Sequence, residues 1–153
     1  MIFSKPVTYA IRSLLFLSIQ ERKEYLLGTT IASSIGIPSP YLVKILGTLT
    51  SAGILQAVRG PGGGFQMSMR PEEVSLKAIV ELFDGVHLTT QCLLGLGKCD
   101  ESNSCPVHDR WKESRDHIDA FLSGTTIETL RTLLRDNPDK CFNGVLDRSL
   151  ISV

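Results

Sequence analysis

A glycine-rich segment between two short strand-like segments constrains the fold of this chain most strongly. Residues 59–64 read Arg-Gly-Pro-Gly-Gly-Gly, and they separate residues 54–58 from residues 65–69. In the later flanking segment apolar residues alternate with polar ones, which is the two-residue period of a half-buried β-strand. Glycine and proline interrupt regular structure. The sequence therefore predicts a β-hairpin with a glycine-rich tip.

Three helical patterns precede this hairpin. Apolar residues recur every three or four positions over residues 6–21, and shorter patterns cover residues 29–35 and 38–52, which indicates helices with one buried face. Gly36 and Gly53 are placed to end the second and third helices. Helix, short helix, turn, helix and hairpin is the element order of a winged helix-turn-helix, in which the second helix of the pair enters the major groove of DNA.

The third helix has two different faces. Its predicted buried stripe consists of Leu42, Ile45, Leu46 and Leu49, and its predicted outward face of Tyr41, Lys44, Thr48 and Ser51, because each set recurs at helical spacing. We interpret the outward face, with Ser39 at the helix start, as a surface for phosphate and base contacts. Glycine inside a helix lowers its stability by about 1 kcal/mol relative to alanine. Glycine at position 47 therefore indicates that another group approaches the helix backbone there.

The hairpin tip is a second candidate DNA contact. Arg59 is suited to a narrow minor groove, where the negative potential is enhanced, and Gly60, Pro61 and Gly62 would allow the backbone to approach a groove wall. A nucleotide-binding loop is disfavoured, because the segment lacks the GxGxxG and GK[ST] patterns and precedes a strand. A tight turn without any function remains the alternative for the tip.

Charge is distributed unevenly along the chain. The net charge is zero, but residues 1–70 contain seven lysines and arginines and two acidic residues, whereas the remainder contains nine basic and fourteen acidic residues. A basic amino-terminal half is typical of a protein that meets phosphate at one end. Chance segregation of surface charge gives the same numbers, so the charge supports DNA binding only together with the element order.

Three cysteines and a histidine cluster later in the chain. Cys92, Cys99, Cys105 and His108 lie in a stretch that glycine, asparagine and proline interrupt, and thiolates and imidazole bind soft or borderline transition metals. An iron–sulfur cluster, a structural zinc site, a thiol–disulfide switch and a Cys–His enzyme are all compatible with these residues, as is a loop with incidental cysteines. The spacers are long for zinc, and no surrounding signature supports an enzyme.

Size and composition favour one compact domain in a reducing compartment. The chain has 153 residues, of which 42% are hydrophobic, and no apolar run is long enough to span a membrane. Its four cysteines, three of them local, do not resemble a secreted disulfide framework, and Cys141 is expected to be a bystander. We find no signal peptide. We therefore expect a cytoplasmic protein that does not interact with membranes.

The carboxy-terminal half is predicted to be helical around the cysteine loop. Patterns indicate helices over residues 75–83, 106–122 and 125–137. Val107, Trp111, Ile118 and Phe121 share one side of the second of these, and Thr125 with Glu128 forms a capping box for the third. We divide the chain into a DNA-binding domain (1–84), a cysteine loop (85–105), dimerisation helices (106–137) and a flexible tail (138–153).

Four segments together resemble the IscR/NsrR family of bacterial winged-helix iron–sulfur transcription regulators. They are residues 9–12 (Tyr-Ala-Ile-Arg), 40–44 (Pro-Tyr-Leu-Val-Lys), 58–65 (Val-Arg-Gly-Pro-Gly-Gly-Gly-Phe) and the three-cysteine loop. The resemblance covers about residues 1–135. It implies a mainly α-helical homodimer with a small β-hairpin wing, in which the helix over residues 106–122 crosses between subunits. It further implies a regulator of double-stranded promoter DNA, not an enzyme, whose cluster senses redox state, nitric oxide or iron.

The resemblance also implies a ligand set. The three cysteine ligands fall on Cys92, Cys99 and Cys105, and the histidine of IscR-like members falls on His108, so we expect a 2Fe–2S rather than a 4Fe–4S cluster. In NsrR-like members the fourth ligand is an aspartate in the first helix, where this chain has Thr8. The first cysteine spacer is six residues instead of the typical five. Val43 replaces a glutamate of the IscR-like recognition helix, so a DNA contact at Val43 need not select the same promoters.

Overall fold

Three helices and a β-hairpin build the amino-terminal part of the protein. In the computed structural model, which describes residues 3–20, 24–86 and 90–137, these elements are α1 (Lys5–Ser18), α2 (Gly28–Ile35), α3 (Ser39–Ser51), β1 (Leu55–Val58) and β2 (Gly64–Met67). The remaining helices are α4 (Leu76–Asp84), α5 (His108–Gly124) and α6 (Ile127–Asp136), with 3-10 turns at Pro71–Glu73 and Glu101–Asn103. The mainly α-helical winged-helix class is confirmed. The predictions for the tail and Cys141 lie outside the described residues.

Helix α1 is the centre of the core. It packs against α2, α3, α4 and α6, and Val7, Ala10 and Leu14 are completely buried. The predicted stripe of α3 is confirmed, since Leu42, Ile45, Leu46 and Leu49 are all buried. Gly36 ends α2 with φ of 64°, the left-handed conformation that glycine adopts at a helix end. The periodicity of α3 therefore fixes which of its faces is turned outward.

The hairpin is antiparallel and is extended by a third segment. Leu55 pairs with Met67 and Val58 with Gly64. Leu26, just before α2, adds a bridge to Phe65, with N···O distances of 3.0 and 2.8 Å in the two directions. Gly64 has φ of 147°, and a β-carbon there would lie 2.2 Å from the Leu26 carbonyl oxygen. Glycine at position 64 is therefore required by the close approach of the Leu26 backbone.

The amino-terminal ends of α4 and α6 lie side by side. The Leu76 amide donates to the Thr125 carbonyl at 2.9 Å, and the Ile127 amide donates to the Val74 carbonyl at 3.0 Å. The capping box of α6 is formed by Thr126 and Thr129, so the prediction of Thr125 with Glu128 was wrong by one residue. The reason is that Thr125 ends α5, where its amide donates to the Phe121 carbonyl.

Helix α5 buries a different side from the one that its apolar pattern suggests. His108, Arg115 and Leu122, spaced seven residues apart, are its buried residues. On the predicted apolar side, Trp111 and Ile118 are half-buried, but Phe121 is 60% exposed. Part of the apolar side of α5 is thus left uncovered within one chain. No helix among the described residues is long and apolar enough to cross a membrane.

Candidate nucleic-acid interface and metal-binding loop

The outward face of α3 is open along the length of the helix. Tyr41, Val43, Lys44 and Ser51 are exposed, whereas Ser39, Gly47 and Thr48 are half-buried. The Thr48 hydroxyl donates to the Lys44 carbonyl at 3.1 Å, so its proton is already used in a hydrogen bond within α3. A β-carbon on Gly47 would meet nothing within 4 Å. No contact among the described residues therefore requires glycine at position 47.

Two residues on opposite flanks of α3 are held by neighbouring elements. The Tyr41 ring packs edge-to-face on Tyr9 of α1, with the centroids 5.6 Å apart, and Arg12 lies 6.0 Å from the centre of the Tyr9 ring. Arg12 also donates to the Ile35 carbonyl at the end of α2. On the other flank, Val43 Cγ2 lies 3.1 Å from the position that a β-carbon on Gly28 would take. These contacts fix α3, the helix that is predicted to enter the major groove and is called the recognition helix below, relative to α1 and α2.

The hairpin tip presents an exposed run to solvent. Residues 59–62, comprising Arg59, Gly60, Pro61 and Gly62, are all exposed. Gly60 and Gly62 have φ of 95° and 74°, which favour glycine, and the Gly63 amide donates to the Gly60 carbonyl at 2.9 Å. The predicted tip residues thus stand together at one end of the hairpin, available to a groove wall.

The four predicted metal-binding residues form two pairs. The Sγ atoms of Cys92 and Cys105 are 3.9 Å apart, and Cys99 Sγ is 3.3 Å from Nδ1 of His108. Cys92, Cys105 and His108 are buried, and Cys99 is half-buried. The loop is positioned by its own backbone, because the Cys92 amide donates to the Gly97 carbonyl and the Cys99 amide to the Thr90 carbonyl. His108 begins α5, and its amide donates to the Cys105 carbonyl at 2.9 Å.

The two pairs have the separations of ligands on tetrahedral metals. Metal–sulfur and metal–nitrogen bonds of about 2.3 and 2.05 Å place two thiolates about 3.8 Å apart, and a thiolate and an imidazole nitrogen about 3.6 Å apart. A disulfide requires about 2.05 Å between sulfurs. Within the described residues, however, no three such groups stand close enough together to hold one metal ion. Among the described residues the donors are therefore brought together as two pairs and not around a single point.

The surroundings of Cys92 favour ionisation of its thiol. Its pKa is lowered, first because the backbone amides of Leu94 and Leu96 donate to the sulfur, and further by Cys105 and the positive charge of Arg115, while burial opposes the shift. Arg115 is itself buried on α5. Its role is not evident from the sequence, although its seven-residue spacing from His108 is a signal that both face the same way. The site therefore favours a thiolate at Cys92.

The fold and the exposed recognition helix define a winged helix-turn-helix DNA-binding protein. A family model described as Rrf2, iron-dependent transcriptional regulator, matches residues 3–132. The chain belongs to this family, and the resemblance to IscR-like regulators is confirmed. It is a DNA-binding transcription regulator and not an enzyme.

Curated relatives and solved structures are consistent with this assignment. An HTH-type transcriptional regulator of Aquifex aeolicus is 37% identical over 132 residues, spanning 85% of this chain and 91% of its own length. IscR of Vibrio cholerae is 29% identical over 129 residues, spanning 84% and 74%. CymR, the global cysteine regulator of B. subtilis, superimposes with a TM-score of 0.73 at 21% identity, over 86% of this chain and 96% of CymR. The oxidised form of Staphylococcus aureus CymR has a TM-score of 0.68 at 26% identity, over 86% and 96%.

Proposed function

We propose that this protein is a homodimeric, cytoplasmic transcription regulator whose affinity for promoter DNA depends on an iron–sulfur cluster. Cys92, Cys99, Cys105 and His108 would hold the cluster, which senses redox state, nitric oxide or iron. The observation that carries this proposal is the arrangement of the four donors in two pairs with metal-ligand separations. Residues 1–84 would bind DNA, residues 85–105 the cluster, and residues 106–137 the partner subunit.

The pairing favours a 2Fe–2S cluster over a structural zinc. In a two-iron cluster each iron takes two protein ligands, so Cys92 with Cys105 would serve one iron and Cys99 with His108 the other. A tetrahedral zinc needs all four donors around one point, which the described residues do not offer. A 4Fe–4S cluster would take one protein ligand at each of four irons, so donors that are grouped in pairs do not favour it.

The residues around the loop would stabilise a negatively charged group. When bound, the cluster supplies a one-electron redox centre that oxidants and nitric oxide can attack. The Leu94 and Leu96 amides and Arg115 already favour negative charge at Cys92, and hydrogen bonds and positive charge near sulfur are what tune such a group. Loss of the cluster would remove the link that it would make between Cys99 and His108, the first residue of α5.

A chain of contacts connects this loop to the DNA-binding helices. Lys77 of α4 forms an ion pair with Asp119 of α5 at 2.8 Å, and the Ser4 amide at the start of α1 donates to Asp84 at the end of α4 at 3.0 Å. Helix α1 in turn packs against α3. We infer that a shift of α5 at His108 reaches α3 through α4 and α1. A coupling of about 1.4 kcal/mol along this route changes DNA affinity tenfold.

Dimerisation would use the uncovered apolar side of α5. A twofold dimer presents two recognition helices, and its operator would contain two half-sites about 34 Å apart or a multiple of this. Ser39, Tyr41, Val43, Lys44 and Thr48 would contact the major groove. Arg59, Gly60, Pro61 and Gly62 would contact the adjacent backbone or minor groove.

Anaerobic purification tests the cluster directly. We expect a coloured protein with about two irons and two sulfides per chain, and visible absorption that is lost in Cys92→Ser, Cys99→Ser and Cys105→Ser. Cys141→Ser, which removes the remaining cysteine, should keep the wild-type spectrum. One zinc per chain, or no iron after anaerobic reconstitution, would contradict the proposal.

A thiol switch is the second candidate function, favoured by the proximity of Cys92 and Cys105. Oxidation would join their sulfurs, with two electrons and two protons passing to a peroxide that is reduced to water. An oxidised form of S. aureus CymR has been solved. Peroxide should be added to cluster-free and to cluster-loaded protein. If it forms this disulfide in the cluster-free protein and changes DNA affinity equally in both samples, the switch replaces the cluster as the sensor.

A further inference from the structure

An aliphatic side chain is exposed on the recognition helix. Val43 has 44% of its surface exposed and stands next to the exposed Lys44. Leu27, directly before Gly28, is 55% exposed. A phosphate offers no apolar contact, so these exposed side chains add nothing to a surface that only attracts phosphate. Val43 is therefore available to a group that is both apolar and reachable from a DNA-binding helix.

The position of Val43 is fixed before any ligand binds. Its Cγ2 atom packs over the Gly28 backbone, a place that Phe65 and Leu46 also approach. A valine in a helix has one strongly preferred χ1 rotamer. The side chain is therefore rigid and presented at a defined place on α3, so little conformational freedom is lost when it makes a contact.

The chemistry of the major groove leaves one matching group. Valine neither donates nor accepts a hydrogen bond, so it can distinguish bases only by apolar contact. Among the base-pair edges of the major groove, the C5-methyl group of thymine is the apolar feature. We propose that Val43 contacts a thymine C5-methyl and selects thymine at one position of each half-site. This inference rests on the proposed function, because it requires α3 to enter the major groove.

Replacing thymine by deoxyuridine removes this methyl group and leaves base pairing intact. An operator is first selected from random duplexes with the whole protein, in whichever cluster state binds more tightly, and each thymine is then replaced symmetrically in both half-sites. We expect one position at which binding weakens about fourfold for each half-site, as burial of one carbon at about 0.8 kcal/mol predicts. In Val43→Ala, binding to the unmodified operator should weaken, and the effect of deoxyuridine at this position should disappear.

Two further variants make the result specific. Val86→Ala shortens a valine with a similar exposure of 51% outside the DNA-binding elements, and it should keep the full deoxyuridine effect. Val43→Thr keeps the branched shape and one methyl group, and should retain part of the effect. A deoxyuridine effect that persists undiminished in Val43→Ala, or the absence of any sensitive thymine in a tightly bound operator, would overturn this inference alone. Failure to bind any duplex in any cluster state would overturn the proposed function and this inference with it.

Discussion

At the scale of single residues, His108 is both a candidate metal ligand and the start of a long helix. It is the first residue of α5, and its imidazole Nδ1 faces Cys99 Sγ at 3.3 Å. If His108 is a ligand, it would tie the cysteine loop to this long helix, and a change at the metal would reach α5. The resemblance to IscR-like regulators implies that His108 is the fourth ligand. Its pairing with Cys99 rather than Cys105 depends on the loop backbone and could not be predicted.

Removing the imidazole should destabilise the cluster. In His108→Ala we expect faster loss of visible absorption in air, because one of four ligands is absent and the two pairs are no longer complete. His117→Ala, an exposed histidine on the same helix, is the matched control and should decay like the wild type. A wild-type spectrum and rate in His108→Ala would show that the fourth ligand lies elsewhere.

Lys44 should contribute to DNA binding mainly through charge. It is exposed at the outward face of α3, where we expect a phosphate contact. Lys44→Ala should weaken binding and reduce the slope of log Kd against log salt by about one unit, because one fewer counterion is released. Lys112→Ala, an exposed lysine on α5, should leave the slope unchanged. A wild-type slope in Lys44→Ala would exclude the phosphate contact.

At the scale of elements, local periodicity was sufficient for the helices that bury their apolar face within one chain. The buried stripe of α3 and the end of α2 at Gly36 agree with the sequence prediction. The apolar pattern of α5 did not identify its buried side, because His108 and Arg115 are buried there while Phe121 is exposed. The bridge between Leu26 and Phe65 was missed, because a single paired residue leaves no alternating pattern. Long-range pairing and side-chain environment are therefore what the sequence did not reveal.

The junction between α4 and α5 should depend on pH at the alkaline end. The pKa of Lys77 is raised, first by its hydrogen bond to Asp119, so the folded state favours protonated lysine. This stabilisation is fully present below the unfolded pKa and is lost as pH rises through the raised folded pKa. The difference in urea midpoint between wild type and Lys77→Met should therefore shrink at alkaline pH. A difference that stays constant as lysine deprotonates would show that the ion pair does not stabilise the junction.

At the scale of the whole molecule, we expect the uncovered side of α5 to form the contact of the proposed dimer. Phe121, which is 60% exposed on this long helix, would be covered by the partner subunit. The basic amino-terminal half and the winged helix lie in the same chain segment, so a dimer would carry two such DNA-binding units. In such a dimer the helices after the cysteine loop would set the spacing between the two α3 helices.

A charge at the centre of this surface should separate the subunits. Phe121→Glu should shift the protein toward a monomer in sedimentation experiments, because an unpaired carboxylate would have to be buried between the chains. Ser123→Glu, also at an exposed position of α5, adds the same charge and should leave the dimer intact if it lies outside the contact. A wild-type sedimentation profile for Phe121→Glu would place the dimer contact elsewhere.

The affinity of the whole protein for its operator, measured anaerobically with and without the cluster, tests the central claim most directly. We predict that the two wild-type forms differ at least about tenfold in Kd, the effect of a 1.4 kcal/mol coupling. The difference should vanish when Cys92, Cys99 and Cys105 are all replaced by serine. Equal affinities of the loaded and cluster-free wild-type protein would contradict the claim that this loop controls DNA binding.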